Sequence, residues 1–222
     1  MDRGGTLVEL PGVDVPGHAP SGLGGDDHPM RIMTRRAAGL LAPPWDDVAR
    51  QEVAAFFDDL APEWHTRSSP ERTAVVEDAL QRGDVGGGTL ALEVGSGIGA
   101  YSGMLAARFG TVLALEIAAE MLALAPAAPA HRVLADAATL PVAAGRADAV
   151  VLVNAFLFPA EVDRVLAPGG AVVWVNSSGA QTPIHLRADE VVAALPGHWE
   201  GTSSAAGAGT WCVLRRAGAR PA

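Results

Sequence analysis

The sequence predicts a doubly wound α/β sheet, mostly parallel, with an antiparallel C-terminal hairpin at one sheet edge. From residue 89 onward, short runs rich in Val, Leu and Ala recur near 89–94, 111–116, 131–135, 148–153 and 171–176. Ala-rich stretches of helical length lie near 101–109, 117–125, 159–166 and 188–195. Strands that are almost continuously apolar and alternate with helices are parallel strands covered on both faces by crossover helices. The third observation is the tail from His198 to Arg216, which has no helical period and holds two extended runs around Gly201 to Gly209, as a hairpin requires. There is no internal repeat.

Upstream, residues 1–44 are dense in Gly and Pro and are expected to form an arm with few elements, partly flexible or acting as a lid. Its Arg31, Arg35 and Arg36 are expected to be a solvated cluster. A single domain is expected over 45–216, followed by a short tail, 217–222. Its first helix starts at the Asp46-Asp47 cap and carries Val53, Phe56, Phe57 and Leu60 on one face until Pro62. A second helix starts at Ser69-Pro70, turns Val75, Val76, Ala79 and Leu80 inward, and stops at Gly83, and 45–83 thus form an N-terminal helical part of the domain. Gly86-Gly87-Gly88 then turns into the first strand.

Composition narrows the function classes. The 222 residues fit one domain with ~40 to spare, given ~100–200 residues per domain. With 49% apolar and 18% charged residues and a mean hydropathy of +0.22, the chain is too apolar to be disordered throughout. A net charge of −9 gives no long-range attraction for nucleic acid or anionic lipid, so neither partner is expected. The single cysteine, Cys212, excludes an intramolecular disulfide and suits a reducing cytoplasm, the expected location. The six His show no pairing at metal-ligand spacing, so no metal is expected. The N-terminus lacks the apolar stretch of a signal peptide, and the best apolar run, Ala149 to Ala160, is broken by Asn154 and too short to span a bilayer.

The residues that carry chemistry begin at Leu92-Glu93-Val94-Gly95-Ser96-Gly97-Ile98-Gly99-Ala100-Tyr101, where the first parallel strand turns into its helix. Glycines there let the backbone approach a ligand beyond the carboxyl ends of the strands. Gly95, Gly97 and Ala100 also satisfy the dinucleotide pattern, so the loop alone says only that the cofactor is nucleotide-like. Glu116, 21 residues after Gly95, fits the acid that accepts hydrogen bonds from ribose hydroxyls. Glu93 would sit awkwardly beside a pyrophosphate but suits a cofactor carrying an ammonium and a sulfonium.

Five segments in order, FFDDLAPEWH (56–65), LEVGSGIGAYS (92–102), LALEIAAEML (113–122), LADAATLPVAAGRADAVVLVNA (134–155) and EVDRVLAPGGAVVWV (161–175), resemble the class I S-adenosylmethionine (SAM)-dependent methyltransferases, in particular the small ubiquinone/menaquinone-biosynthesis type. The resemblance implies a Rossmann-like fold, SAM as methyl donor and S-adenosylhomocysteine (SAH) as product. It implies that Gly95, Ser96, Gly97 and Gly99 wrap the methionyl and ribose parts, next to Tyr101, with Glu93 serving the loop and the amino group indirectly. Glu116 would bind the ribose hydroxyls, Ile117 the adenine face, and Asp136 with Ala137 the adenine amino group. Asn154 would point to the methyl-transfer end. Trp64, His65 and Arg67 would belong to a lid and acceptor pocket. His65 is the candidate general base for an acceptor hydroxyl or amine.

Beyond Asn154 the chain departs from the family pattern, because Ala155-Phe156-Leu157-Phe158-Pro159 runs straight into the next helix. The acceptor side is therefore expected to be short and apolar, with Phe156 and Phe158 in its wall and the rest supplied by the N-terminal arm or by the second subunit of a homodimer. A small-molecule acceptor methylated on O, N or C is expected. Two alternatives stand beside it. One is a domain that binds SAM as a sensor or assembly subunit without transferring methyl. The other is an NAD(P)-dependent reductase, which the absence of Lys and the single tyrosine, Tyr101, disfavour.

Overall fold

The computed structural model describes residues 4–19, 24–67 and 69–218. The remaining parts of the expected arm and tail, 1–3, 20–23 and 219–222, lie outside the described residues. Eight strands form one sheet: β1 (Gly4–Glu9), β2 (Leu90–Val94), β3 (Thr111–Glu116), β4 (His131–Leu134), β5 (Ala147–Val153), β6 (Leu166–Asn176), β7 (His198–Ala206) and β8 (Gly209–Arg216). Their order is β1-β7-β8-β6-β5-β2-β3-β4, and β8 alone runs against its neighbours. The mostly parallel, doubly wound sheet and its antiparallel β7–β8 hairpin are as the sequence predicts.

Among the described residues seven α-helices accompany the sheet: α1 (Pro29–Ala37), α2 (Asp47–Leu60), α3 (Pro70–Arg82), α4 (Ser102–Ala106), α5 (Ala119–Leu124), α6 (Pro159–Val165) and α7 (Ala188–Ala194). The expected caps form. Asp46 accepts from the Ala49 amide at 2.8 Å, and Ser69 accepts from the Arg72 amide at 3.3 Å, ahead of Pro70. Pro62 ends α2 in part only, because a 3-10 turn continues over Ala61–Arg67.

Alternate residues of the central strands feed two cores. Leu92, Val94, Val150, Leu152, Val172 and Trp174 pack with α6 and α7 residues on one face. Ala91, Ala149, Val151, Val173 and Val175 pack with Val75, Val76, Leu80 and Leu105 on the other. This two-sided burial is why the strands read as continuous apolar runs.

The N-terminal arm carries more regular structure than its composition suggests. β1 pairs in parallel with β7, outside the hairpin, in the register Gly4↔His198 to Glu9↔Ser203. Gly5 is required there, because a Cβ would come within 2.0 Å of the Trp199 carbonyl oxygen. The arginine cluster is also not solvated. Arg31 is buried and donates to the carbonyls of Pro183 (3.2 Å), Ala180 (2.8 Å) and Thr182 (2.8 Å). Arg35 pairs with Glu190 of α7 at 2.7 Å, and Arg36 donates to the carbonyls of Pro43 and Pro44. A guanidinium with several fixed donors satisfies carbonyls that no regular element would, and this fastens α1 to the segment after β6.

Replacing Arg31 with Ala would strand those three carbonyls. It is expected to cost roughly 2–4 kcal/mol and to lower the melting temperature by roughly 5–10 °C in a calorimetric scan, whereas Arg36→Ala should change it by less.

Candidate functional site

The chain leaves β2 for β3 and β4 on one side, then crosses back to β5 and β6 on the other. Two loops therefore diverge beyond the carboxyl ends of β2 and β5, and the crevice between them is where an open α/β sheet receives a ligand. The first loop, 95–101, has Gly95 at φ +67° and Gly97 at φ +54°, a left-handed geometry that a side chain rarely adopts. A Cβ on Gly95 would also lie 2.7 Å from that of Ala155 in the second loop. Asn154 opens that second loop with φ +50°, and its amide group is paired both ways with Ser177, at 2.8 and 2.9 Å.

Two carboxylates organise the first loop. Glu116, at the end of β3, accepts from the amides of Ile117 (2.9 Å) and Ala118 (3.0 Å) through Oε1, and from Gly97 (2.7 Å) through Oε2. Burial raises its pKa above the ordinary value and those amides oppose the rise. Glu93, within β2, lies beneath the loop and does not face the crevice. Its Oε2 accepts a short hydrogen bond from the Ser102 hydroxyl, and its Oε1 is buried without a partner. Burial pushes the Glu93 carboxyl up to about 7, against the pull of Ser102 and the Tyr101 amide, with Glu116 adding to the rise. Ser96 Oγ is likewise buried without a partner.

The crevice widens into a cleft of ≈ 990 Å³. Most of the expected residues meet in it: Gly95, Ser96, Gly97 and Tyr101 from the first loop, Glu116 and Ile117 from the end of β3, Asp136 and Ala137 after β4, and Asn154 after β5. Trp64 and Arg67 close it from the 3-10 turn. Phe156 and Phe158 also line it, but on the Asp136 side, where Trp45 stacks against both at ring separations of 5.7 and 5.1 Å. They do not line the neighbouring chamber described below. Asp136 Oδ1 accepts from the Ala138 amide, and its Oδ2 lies 3.5 Å from the Trp45 indole nitrogen. The residues from 137 form a turn rather than a helix.

Three expected residues stand apart. Glu93 lies within β2 on Ser102, Gly99, at φ +73°, packs toward Ser102 and Ala125, and His65 is exposed on the 3-10 turn and lines neither the cleft nor its neighbour. The sequence reading missed Trp45, Phe57, Arg72 and Ile184 in the lining. Phe57 was legible as part of an apolar stripe. Nothing local marks Trp45, which reaches the site across 91 positions to Asp136.

Residues 92–174 match the family model described as a methyltransferase domain. The matched segment holds the glycine loop, Glu116, Asp136 and Asn154 and spans less than half of the chain. Among solved structures, a complex of DhpI with SAH matches with a TM-score of 0.60 and 19% identity, over 75% of this chain and 96% of that one. A complex of DhpI with SAM and HEP matches with a TM-score of 0.57 and 20% identity, over 76% and 97%. A complex between the Haloferax volcanii Trm112 methyltransferase activator and a chain named as a methyltransferase gives 0.47 and 23%, over 54% of this chain and 59% of that one, so less than two thirds of its length is spanned. No curated protein matches the sequence. Among the described residues there is no group of three or more His, Cys, Asp or Glu suited to a metal ion, and no helix long and apolar enough to cross a membrane.

The buried Glu93 gives the protein a pH-dependent stability. The folded carboxyl keeps its proton up to about 7 and the unfolded one only to its ordinary value of 4.5, so the folded state binds more protons between these limits. Stability therefore falls as pH rises through that window. Glu93→Gln is expected to be roughly 3 kcal/mol more stable than the parent at pH 8, with the difference fading below pH ~5, as measured by urea unfolding.

Proposed function

We propose that the protein transfers a methyl group from SAM to an O, N or C atom of a small-molecule acceptor. The observation that carries this reading is the side-chain-free face of the 95–97 loop, gripped by the Glu116 carboxylate at the sheet's switch point. The residues present fit the donor. The left-handed glycines leave room against the backbone, Ser96 offers a buried hydroxyl without a protein partner, and Glu116 Oε2 has only the Gly97 amide upon it. In this reading Glu116 takes the ribose hydroxyls. Ile117 and Ala137 flank the adenine, Asp136 faces its amino group, and the Trp45–Phe156–Phe158 cluster closes that end against water. Gly95, Ser96, Gly97 and Tyr101 hold the methionyl end beside Asn154.

Bound there, SAM supplies an electrophilic methyl on a sulfonium, which the acceptor atom attacks in line while SAH departs. Because the donor arrives activated, the protein's contribution is alignment and the exclusion of water. The Glu116 and Asp136 carboxyls in the cleft, with no basic residue in the 95–101 loop, favour a cationic donor over a pyrophosphate. The methyltransferase match over 92–174 likewise supports this reading over a nicotinamide-dependent reductase. No dedicated base is assigned, since His65 faces away from the cleft.

Titration with SAM or SAH to about 100 times the dissociation constant should raise the melting temperature by roughly 5–10 °C, and NADPH should not; a shift with NADPH alone overturns the reading. Glu116→Ala should weaken SAH binding by about tenfold or more in calorimetry. A positioned general base contributes ~10²–10⁴-fold, so His65→Ala should leave turnover within a few-fold of the parent at every pH, and a larger loss would restore His65 as the base.

A further inference from the structure

A second chamber of ≈ 1080 Å³ adjoins the cleft. The two share Phe57, Trp64, Arg67, Arg72, Asn154 and Ile184, so they meet where the reading above puts the methyl-transfer end of the donor. The lining of this chamber is chemically lopsided. Its body is apolar, with Met30, Phe56, Phe57, Leu60 and Ile184. Among the described residues its cationic groups are Arg67 and Arg72, joined by His28, and no Asp or Glu lines it. In a chain with 25 acidic and 16 basic residues, a wall of this size without a carboxylate is a departure from the average surface.

The elements behind this wall are fixed by the fold. The Arg67 guanidinium carbon lies 5.3 Å from the centre of the Trp64 ring, a stack that presents the charge along the chamber. Arg72 donates to the Arg67 carbonyl at 2.7 Å, coupling the 3-10 turn to the start of α3, and its charge also reaches Tyr101 in the donor cleft. Opposite, Ser177 accepts from Asn154 Nδ2, which leaves its own hydroxyl proton to donate. His28 accepts from the Met30 amide through Nδ1, so neutral His28 carries its proton on Nε2.

We propose that this second chamber is the acceptor site and that the acceptor is an organic anion with an apolar body, its carboxylate or phosphoryl group paired with Arg67. The proposal rests on the reading that the adjoining cleft holds SAM. The anionic group is the handle, the apolar wall takes the body, and Asn154 lies at the border across which donor and acceptor meet. A guanidinium is well suited to the task, because it binds planar and tetrahedral oxyanions through paired N–H donors and keeps its charge at any working pH.

The test is a calorimetric titration of the full chain, with and without saturating SAH, using 4-hydroxyphenylacetate, its neutral amide, the cation tyramine, and phenylphosphonate. At least one of the two anions is expected to bind about tenfold or more tightly than the amide, and tyramine more weakly still. Which anion binds better decides between a carboxylate and a phosphoryl handle. Arg67→Met should abolish the preference and Arg67→Lys retain part of it, with any fall in SAH affinity smaller than the fall in anion affinity. Equal binding of acid, amide and amine overturns the proposal, as does an Arg67→Met variant that loses SAH affinity and leaves anion binding intact. If SAH fails to bind while the anions bind through Arg67, the anion site stands and the methyltransferase reading of the neighbouring cleft falls.

Discussion

A carboxylate at the end of β3 that accepts amides from two different stretches of chain is the interaction on which this molecule's site depends. Glu116 turns the backbone at Ile117 and Ala118 with one oxygen and holds the Gly97 amide with the other. The 95–101 loop has few other means of keeping its shape. Its glycines lie at positive φ, where the backbone is freed from side chains but also loses their packing. Backbone amides aimed at a fixed carboxylate replace that packing, and they do so next to the place where the sheet's connectivity reverses and a crevice must form.

The rest of the architecture completes the enclosure. Parallel strands buried on both faces bring only backbone and loop residues to their carboxyl ends, which supply one wall and a floor. The remaining walls come from the N-terminal third: Trp45 ahead of α2, Phe57 within it, Trp64 and Arg67 on the 3-10 turn, and Arg72 at the start of α3. Arg31 holds the outer part of this assembly against residues 180–183, which border the second chamber, so the arm that looked dispensable is tied to the geometry of the site.

Glu93 illustrates the cost of such a site. A carboxyl in the middle of an otherwise apolar strand, with one oxygen unpartnered, lowers stability once it ionises. Its position beneath the glycine loop, on the Ser102 hydroxyl, couples that burden to the segment that borders the crevice. A stability deficit concentrated at the functional loop is the usual price of a preorganised electrostatic environment.

Local physics made much of the fold legible before any coordinates. The alternation of apolar runs with Ala-rich stretches fixed the parallel core, because burial on both faces leaves no room for polar residues. The caps at Asp46 and Ser69 marked helix starts by chemistry that operates within three residues. The glycine loop and Glu116 could be placed at one site because their spacing reflects a single strand–helix–strand unit. What the sequence left open depended on partners far along the chain. That β1 would add to β7 required the missing Cβ of Gly5 to face Trp199. The arginine cluster near residue 31 looked solvated because its carbonyl partners lie about 150 positions away. His65 and Trp64 are adjacent in sequence, yet one faces solvent and the other the cleft. Periodicity and spacing are set by neighbouring residues, so the sequence determined the sheet, the helices and the loop; which side chains close the cavity is set by long-range packing, and only the tertiary structure decided it.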